Sequence, residues 1–223
     1  MKVKGLILSL ALLLGASSVW ADDNVSVVKP LAINKGQTKK VAVALENAKA
    51  YSAFQMDIQL PDGLTMSNPK SLRTSDKTFH NINFGEVDGI TRVVTVSYKV
   101  DSDEKTIIDG AKNFIDGKSE IILFFDVTAS DAYAGGNIEV KNVKFVSTEG
   151  TAQAMADASS ENGLILGDAT GDKKVDTKDA IKLVERYLGK NPSSFNTKAA
   201  DITLDGTFDT KDAIQIITVY LGK

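Results

Sequence analysis

Between Asp168 and Lys223 one segment is written twice. The copy beginning at Asp168 reads DATGDKKVDTKDAIKLVERYLGK and the copy beginning at Asp201 reads DITLDGTFDTKDAIQIITVYLGK; at an offset of 33 residues they agree at 13 of 23 positions. Every Asp of the first copy recurs in the second. Internal repetition of this kind sets the architecture before any other signal.

Oxygen-bearing side chains fall at places 1, 3, 5, 9 and 12 of each copy: Asp168, Thr170, Asp172, Asp176 and Asp179, then Asp201, Thr203, Asp205, Asp209 and Asp212. This is the ligand spacing of an EF-hand-type loop, in which the backbone carbonyl at place 7, here Lys174 or Thr207, supplies a further oxygen. An all-oxygen set on a flexible loop suits a hard cation, so calcium is expected in preference to magnesium or zinc, with two ions for two loops. Place 12 is Asp instead of the longer Glu, which requires the backbone to come closer to the ion. Place 6, where glycine eases the turn, is Gly206 in the second loop and Lys173 in the first. A side chain held at positive φ costs about 1 kcal/mol, so the first loop is expected to bind more weakly or to turn differently.

Apolar residues at helical spacing follow each loop: Ile181, Val184 and Leu188, then Ile214, Ile217 and Leu221. Asp176 and Asp209 stand where they would cap these helices, with Asp179 and Asp212 three residues on as in a capping box, and Gly189 and Gly222 close them. No comparable helix is expected before either loop. GLIL is too short, and KNPSSFNTKAA is broken by Pro192.

A calcium loop with one exiting helix, duplicated, opening on GD and closing on YLGK, resembles the type I dockerin repeat pair over residues 167–223. The resemblance implies a small calcium-folded module that binds a cohesin domain on another polypeptide. It also implies that places 10 and 11, Thr177 and Lys178 in one copy and Thr210 and Lys211 in the other, contact the partner with the exposed helix face. These pairs are identical, so a half-turn would present nearly the same surface.

The chain opens MKVKGLILSLALLLGASSVWADD. Lys2 and Lys4, the apolar run Leu6 to Leu14 and the small-residue site ending at Ala21 describe a secretory signal peptide over residues 1–21. Export, extracellular or periplasmic, is therefore expected. The run is too short to span a bilayer. Loss of Lys2 and Lys4 takes the net charge from −3 to −5, and no basic block offers a nucleic-acid surface. Cysteine is absent, which excludes disulfides and thiolate metal sites.

From Asn24 to about Leu166 the periodicity is two. Phe54, Met56, Ile58 and Leu60 alternate with Gln55, Asp57 and Gln59; Val41, Val43 and Leu45 repeat the pattern, as do Val94, Val96, Tyr98 and Val100. IILFFDV at 121–127 is apolar on both faces and reads as a central strand. Ile138, Val140, Val143 and Phe145 alternate with a slip at Lys141 and Asn142, the mark of a bulge. Seven to nine short strands imply a mainly β fold, an antiparallel sandwich or jelly roll over residues 22–166, followed by the helical module at 167–223. The stretches VAVALENAKAYSAFQMDIQLPDGLTM, RVVTVSYKV and IIDGAKNFIDGKSEIILFFDVTA also follow one another in an order that resembles a cohesin domain. Linker-like composition is nearly absent before Asp168, so the two modules are expected to touch.

No catalytic constellation stands out. The sole histidine, His80, has no partner motif, and no GxSxG, HExxH or phosphate loop is present. Asp57, Glu86, Asp88 and Glu120 carry carboxylates, but nothing in the sequence pairs them across a sugar-sized cleft. The expectation is a secreted, non-enzymatic assembly protein. Two other readings stay open: a polysaccharide-binding sandwich with Tyr51, Tyr98 and Tyr133 as a stacking platform, and self-association of sandwich with helical module into head-to-tail chains.

Overall fold

The structure, a computed structural model, describes residues 23–46, 50–71, 78–100, 107–109, 115–116, 120–147 and 149–222. The signal-peptide segment lies outside them, as do the side chains of His80, Val96, Tyr98, Val100 and Glu120. In chain order the strands are β1 (Asn24–Lys29), β2 (Thr38–Glu46), β3 (Ala50–Tyr51), β4 (Ala53–Gln59), β5 (Leu64–Lys70), β6 (Thr78–Val87), β7 (Ile90–Val100), β8 (Ile107–Asp109), β9 (Ile115–Asp116), β10 (Glu120–Ala129), β11 (Glu139–Val146), β12 (Ala152–Ala154), β13 (Ala158–Ser159) and β14 (Leu164–Ile165). Three helices follow: α1 (Thr177–Tyr187), α2 (Thr197–Ala200) and α3 (Thr210–Tyr220). Among the described residues the fold is thus mainly β, with α-helices confined to the C-terminal module.

Two sheets form the sandwich. One runs β14-β1-β2-β10-β5 and the other has β12-β11-β4-β7-β6 as its path, with β13 on β11 and β8 on β7. Alternation places Val25, Val27, Val41, Val43, Leu45, Phe125 and Val127 of the first sheet against Phe54, Met56, Ile58, Val93, Val140 and Phe145 of the second. The expected bulge is present. The register of β11 on β4 shifts between Lys141 and Lys144, and Asn142 takes φ 51° there. One pairing departs from the antiparallel expectation: β14, the middle pair of GLIL, lies parallel to β1, with Val28 opposite Leu164 and Lys29 opposite Ile165.

On the outer face of the second sheet, between Arg92 and Asn142, Asp57 is buried although it alternates with the core residues Met56 and Ile58. Arg92 grips it with Nε to Oδ1 at 2.7 Å and Nη2 to Oδ2 at 2.8 Å, and Asn142 Nδ2 donates to Oδ2 at 2.8 Å. These donors, the guanidinium foremost, hold the Asp57 carboxyl below its usual range. Asp57 is therefore a fastening across β4, β7 and β11. Asp88 forms the tight β6–β7 turn with Gly89, at φ 53° and 75°, and Glu86 is exposed beside it.

Tyr51 does not belong to a surface platform. It is 2% exposed, meets Phe145 in a tilted ring contact with centroids 5.0 Å apart, and donates its hydroxyl to Asp23 and, at 3.1 Å, to Gln153 Oε1. Burial, then Asp23, pushes its phenol upward. Tyr133 packs part-buried against the same core.

A second core joins the two modules. Val28, Ala42, Ala44 and Ile121 lie on the outer face of the five-stranded sheet and bury with Leu166, Ala169, Val175, Leu183, Ile202, Leu204 and Ile216 of the helical module, with Phe124 packed against them. This explains why KVAVAL and IILFF are apolar on both faces: one face fills the sandwich and the other receives the helices. There is no free tether. Leu166 N donates to Lys29 O at 2.7 Å, and Gly167 N to Ala199 O at 2.7 Å.

Candidate calcium loops and helix face

Each loop is wound around its first aspartate. Asp168 is 4% exposed and accepts from the amides of Gly171, Asp172 and Lys173 at 2.7, 3.1 and 2.8 Å; Asp201 is 3% exposed and accepts from Asp205 and Gly206 at 3.2 and 2.8 Å. The last carboxylate is fully buried in both, as Asp179 and Asp212. Their Oδ2 atoms accept from the amides of Asp176 and Asp209 at 2.8 and 3.1 Å, while Asp176 and Asp209 accept in return from the helix, closing the two expected capping boxes.

The hydroxyl at place 3 links first and last. Thr170 Oγ1 lies 3.3 Å from Asp168 Oδ1 and 2.9 Å from Asp179 Oδ1; Thr203 Oγ1 lies 3.3 Å from Asp201 Oδ1 and 3.0 Å from Asp212 Oδ1. Places 1, 3 and 12 are thereby drawn together in both loops. Places 5 and 9 turn to local amides instead: Asp172 and Asp205 accept from Lys174 and Thr207, both at 3.0 Å, and Asp176 and Asp209 from Lys178 and Lys211, both at 2.7 Å. Among the described residues no three carboxylate or imidazole groups converge as they would around a metal.

Even so, the residues fit a cation. One threonine hydroxyl has one proton for two neighbouring carboxylates, and among the described residues the loops' ion pairs are those of Lys211 with Asp205 and Asp209, at 3.5 and 3.4 Å. Burial, with Asp212 and Asp205 close by, raises Asp201 above the ordinary carboxylate range against the pull of the Gly206 and Asp205 amides. Asp205 is lowered, chiefly by the Thr207 hydroxyl, and exposed Lys211 is raised, chiefly by Asp209. Buried carboxylates without a basic partner are the arrangement that a bound divalent ion would stabilise.

The expected inequality between the loops is not in the backbone. Lys173 does take positive φ, 66°, and so turns as Gly206 does at 85°. Place 4 is left-handed as well, and there the residues are reversed: Gly171 at 79° and Leu204 at 56°. Each loop therefore holds one glycine and one strained side chain. The sequence carried this signal in Gly171, which the motif at place 6 does not include.

Helical spacing located α1 and α3, but the residues that define it are mostly on the outside. Leu183 and Ile216 are 0% exposed and face the second core, while Ile181, Tyr187 and Leu188 stand out at 60, 55 and 67% and Ile214, Tyr220 and Leu221 at 66, 53 and 56%. These are three pairs at the repeat offset. With Thr177, Ala180, Val184, Thr210, Ala213 and Ile217 the two isoleucines line one open groove along α1 and α3. Thr177, Lys178, Thr210 and Lys211 are exposed at the starts of the same helices.

Residues 166–220 match the Dockerin type I domain family. The chain thus carries a type I dockerin domain, of a calcium-binding family, behind its β-sandwich. No curated protein matches the chain. Among solved structures it is similar to the cohesin module from a Clostridium perfringens family 33 glycoside hydrolase, at 11% identity over 65% of this chain and 96% of that one, TM-score 0.47. It is also similar to a non-cellulosomal cohesin from the hyperthermophilic archaeon Archaeoglobus fulgidus, at 12% identity over 66% and 92%, TM-score 0.42. The major pilin SpaD from Corynebacterium diphtheriae is a third, at 16% identity over 61% and 34%, TM-score 0.36. Among the described residues no helix is long and apolar enough to cross a membrane.

Proposed function

We propose that the chain is a secreted, non-catalytic adaptor whose C-terminal dockerin, residues 167–223, is ordered by calcium and binds a cohesin domain of another protein. The sandwich, residues 22–166, is the cohesin-like body that this dockerin recruits into an extracellular assembly acting on polysaccharide, residues 1–21 being the export signal. Each loop takes one ion: Asp168, Thr170, Asp172, the Lys174 carbonyl, Asp176 and Asp179 in the first, and Asp201, Thr203, Asp205, the Thr207 carbonyl, Asp209 and Asp212 in the second. Bound calcium supplies charge balance for the buried carboxylates. The chain's own residues do the rest: Asp176 and Asp209 start the helices, and the helices present the partner face.

The observation that carries the reading is the pairing of exposed apolar residues, Ile181 with Ile214, Tyr187 with Tyr220 and Leu188 with Leu221, around the identical Thr-Lys pairs. Large apolar side chains repeated on a surface are a docking surface, and their repetition lets either helix lead. Calorimetric titration with type I cohesin modules tests it. Binding in calcium that disappears in chelator supports the reading, and binding indifferent to chelator contradicts it.

Glycan recognition by the sandwich is weakened by the burial of Tyr51. Affinity electrophoresis of the full chain through polysaccharide gels, with Tyr133→Ala as the control, separates it from protein docking.

A further inference from the structure

We propose that the sandwich is a working part of the second calcium loop, so that calcium in that loop and packing of the dockerin on the five-stranded sheet are thermodynamically linked. This rests on the calcium reading above. The apolar contacts between the modules draw on both repeats, whereas two side-chain hydrogen bonds from β2 fall at the second loop and at the short helix before it. From β2, Lys40 Nζ donates to the carbonyl of Thr203, inside the loop, at 3.1 Å, and Glu46 Oε2 accepts from Lys198 Nζ of α2, which leads into the loop, at 2.9 Å. The lysine hydrogen bond holds the Glu46 carboxyl below its usual range.

Leu204 supplies the second line of argument. It takes the left-handed conformation that its counterpart meets with a glycine, and a Cβ on Gly171 would meet nothing within 4 Å, whereas Leu204 is 3% exposed in the core shared with the sandwich. Backbone strain at Leu204 is thus held by burial in a core to which the outer face of the five-stranded sheet contributes. On that surface Ala42 and Ala44 are fully buried, and their small size lets the module approach the sheet closely. A loop pre-shaped by docking binds its ion more tightly, and by reciprocity the ion tightens docking.

The test is calcium calorimetry on the full chain in an Asp168→Ala background, which leaves the second loop to titrate, with thermal unfolding in chelator alongside. Ala44→Glu places a carboxylate in the packed face without touching the loop, and is expected to weaken calcium about tenfold and to split one unfolding transition into two. Leu204→Gly, outside the sandwich, is expected to weaken calcium in the same direction although it relieves the strained φ. Unchanged calcium affinity in either variant overturns the linkage while leaving calcium binding intact. Absence of calcium heat in the Asp168→Ala chain and in the unsubstituted one overturns both readings, and unfolding in chelator then reports separately on whether the modules are one unit.

Discussion

Gly171 and Leu204 occupy the same place in the two loops and share the same left-handed backbone, at φ 79° and 56°. With Lys173 and Gly206 they form a crossed pair: each loop spends its glycine at a different one of two demanding positions. Gly171→Ala and Gly206→Ala should therefore cost similar amounts, about 1 kcal/mol each. Chemical denaturation of the two variants checks this, and a cost confined to Gly206 would restore the idea of unequal loops.

Gly167 stands between β14 and the first loop. Its φ is 98°, and a Cβ there would stand 2.9 Å from Ile202 Cδ1 and 3.2 Å from Val175 Cγ1. Gly167→Ala is expected to destabilise the dockerin by roughly 1–3 kcal/mol, combining left-handed strain with overpacking. The loss should appear in the thermal midpoint with and without calcium.

The partner face predicts a symmetric response. Ile181→Asp or Ile214→Asp alone should weaken cohesin binding modestly, because the other helix can lead, whereas the double substitution should remove it. Both residues are exposed, so unfolding free energies should stay within about 0.5 kcal/mol of wild type. Equal loss from one substitution and from two would show that a single orientation is used.

Asp57 gives the sandwich an acid limit. Its folded pKa lies below its unfolded value, so the stability from Arg92 and Asn142 is present above the unfolded value of about 3.9 and is lost as pH falls through the lower folded one. Asp57→Asn should cost about 1.5–3 kcal/mol at neutral pH and flatten the acid limb of the stability profile. An unchanged limb would assign it to other carboxylates.

Much of this was legible in the chain. The capping boxes at Asp176 and Asp209, the bulge at Asn142 and the strand alternation are local patterns, and local physics enforces them. What was not legible depends on which surface meets which. Ile181 and Leu183 are both apolar in one helix, and spacing cannot say that Leu183 is buried and Ile181 exposed until the sheet beneath is known. Tyr51 reads from the sequence as a candidate for a stacking platform, and only Asp23, Phe145 and Gln153, brought from elsewhere in the chain, make it core. The apolar second face of IILFF showed that this strand is covered on both sides, without showing that the cover is the repeat itself.

Calcium titration of the metal-stripped full chain by calorimetry addresses the central claim most directly. Two ions per chain are predicted, one lost in Asp168→Ala and the other in Asp201→Ala, with the far-ultraviolet helical signal rising as the loops fill. A chain that takes up no calcium, or takes it up equally after both substitutions, would contradict it.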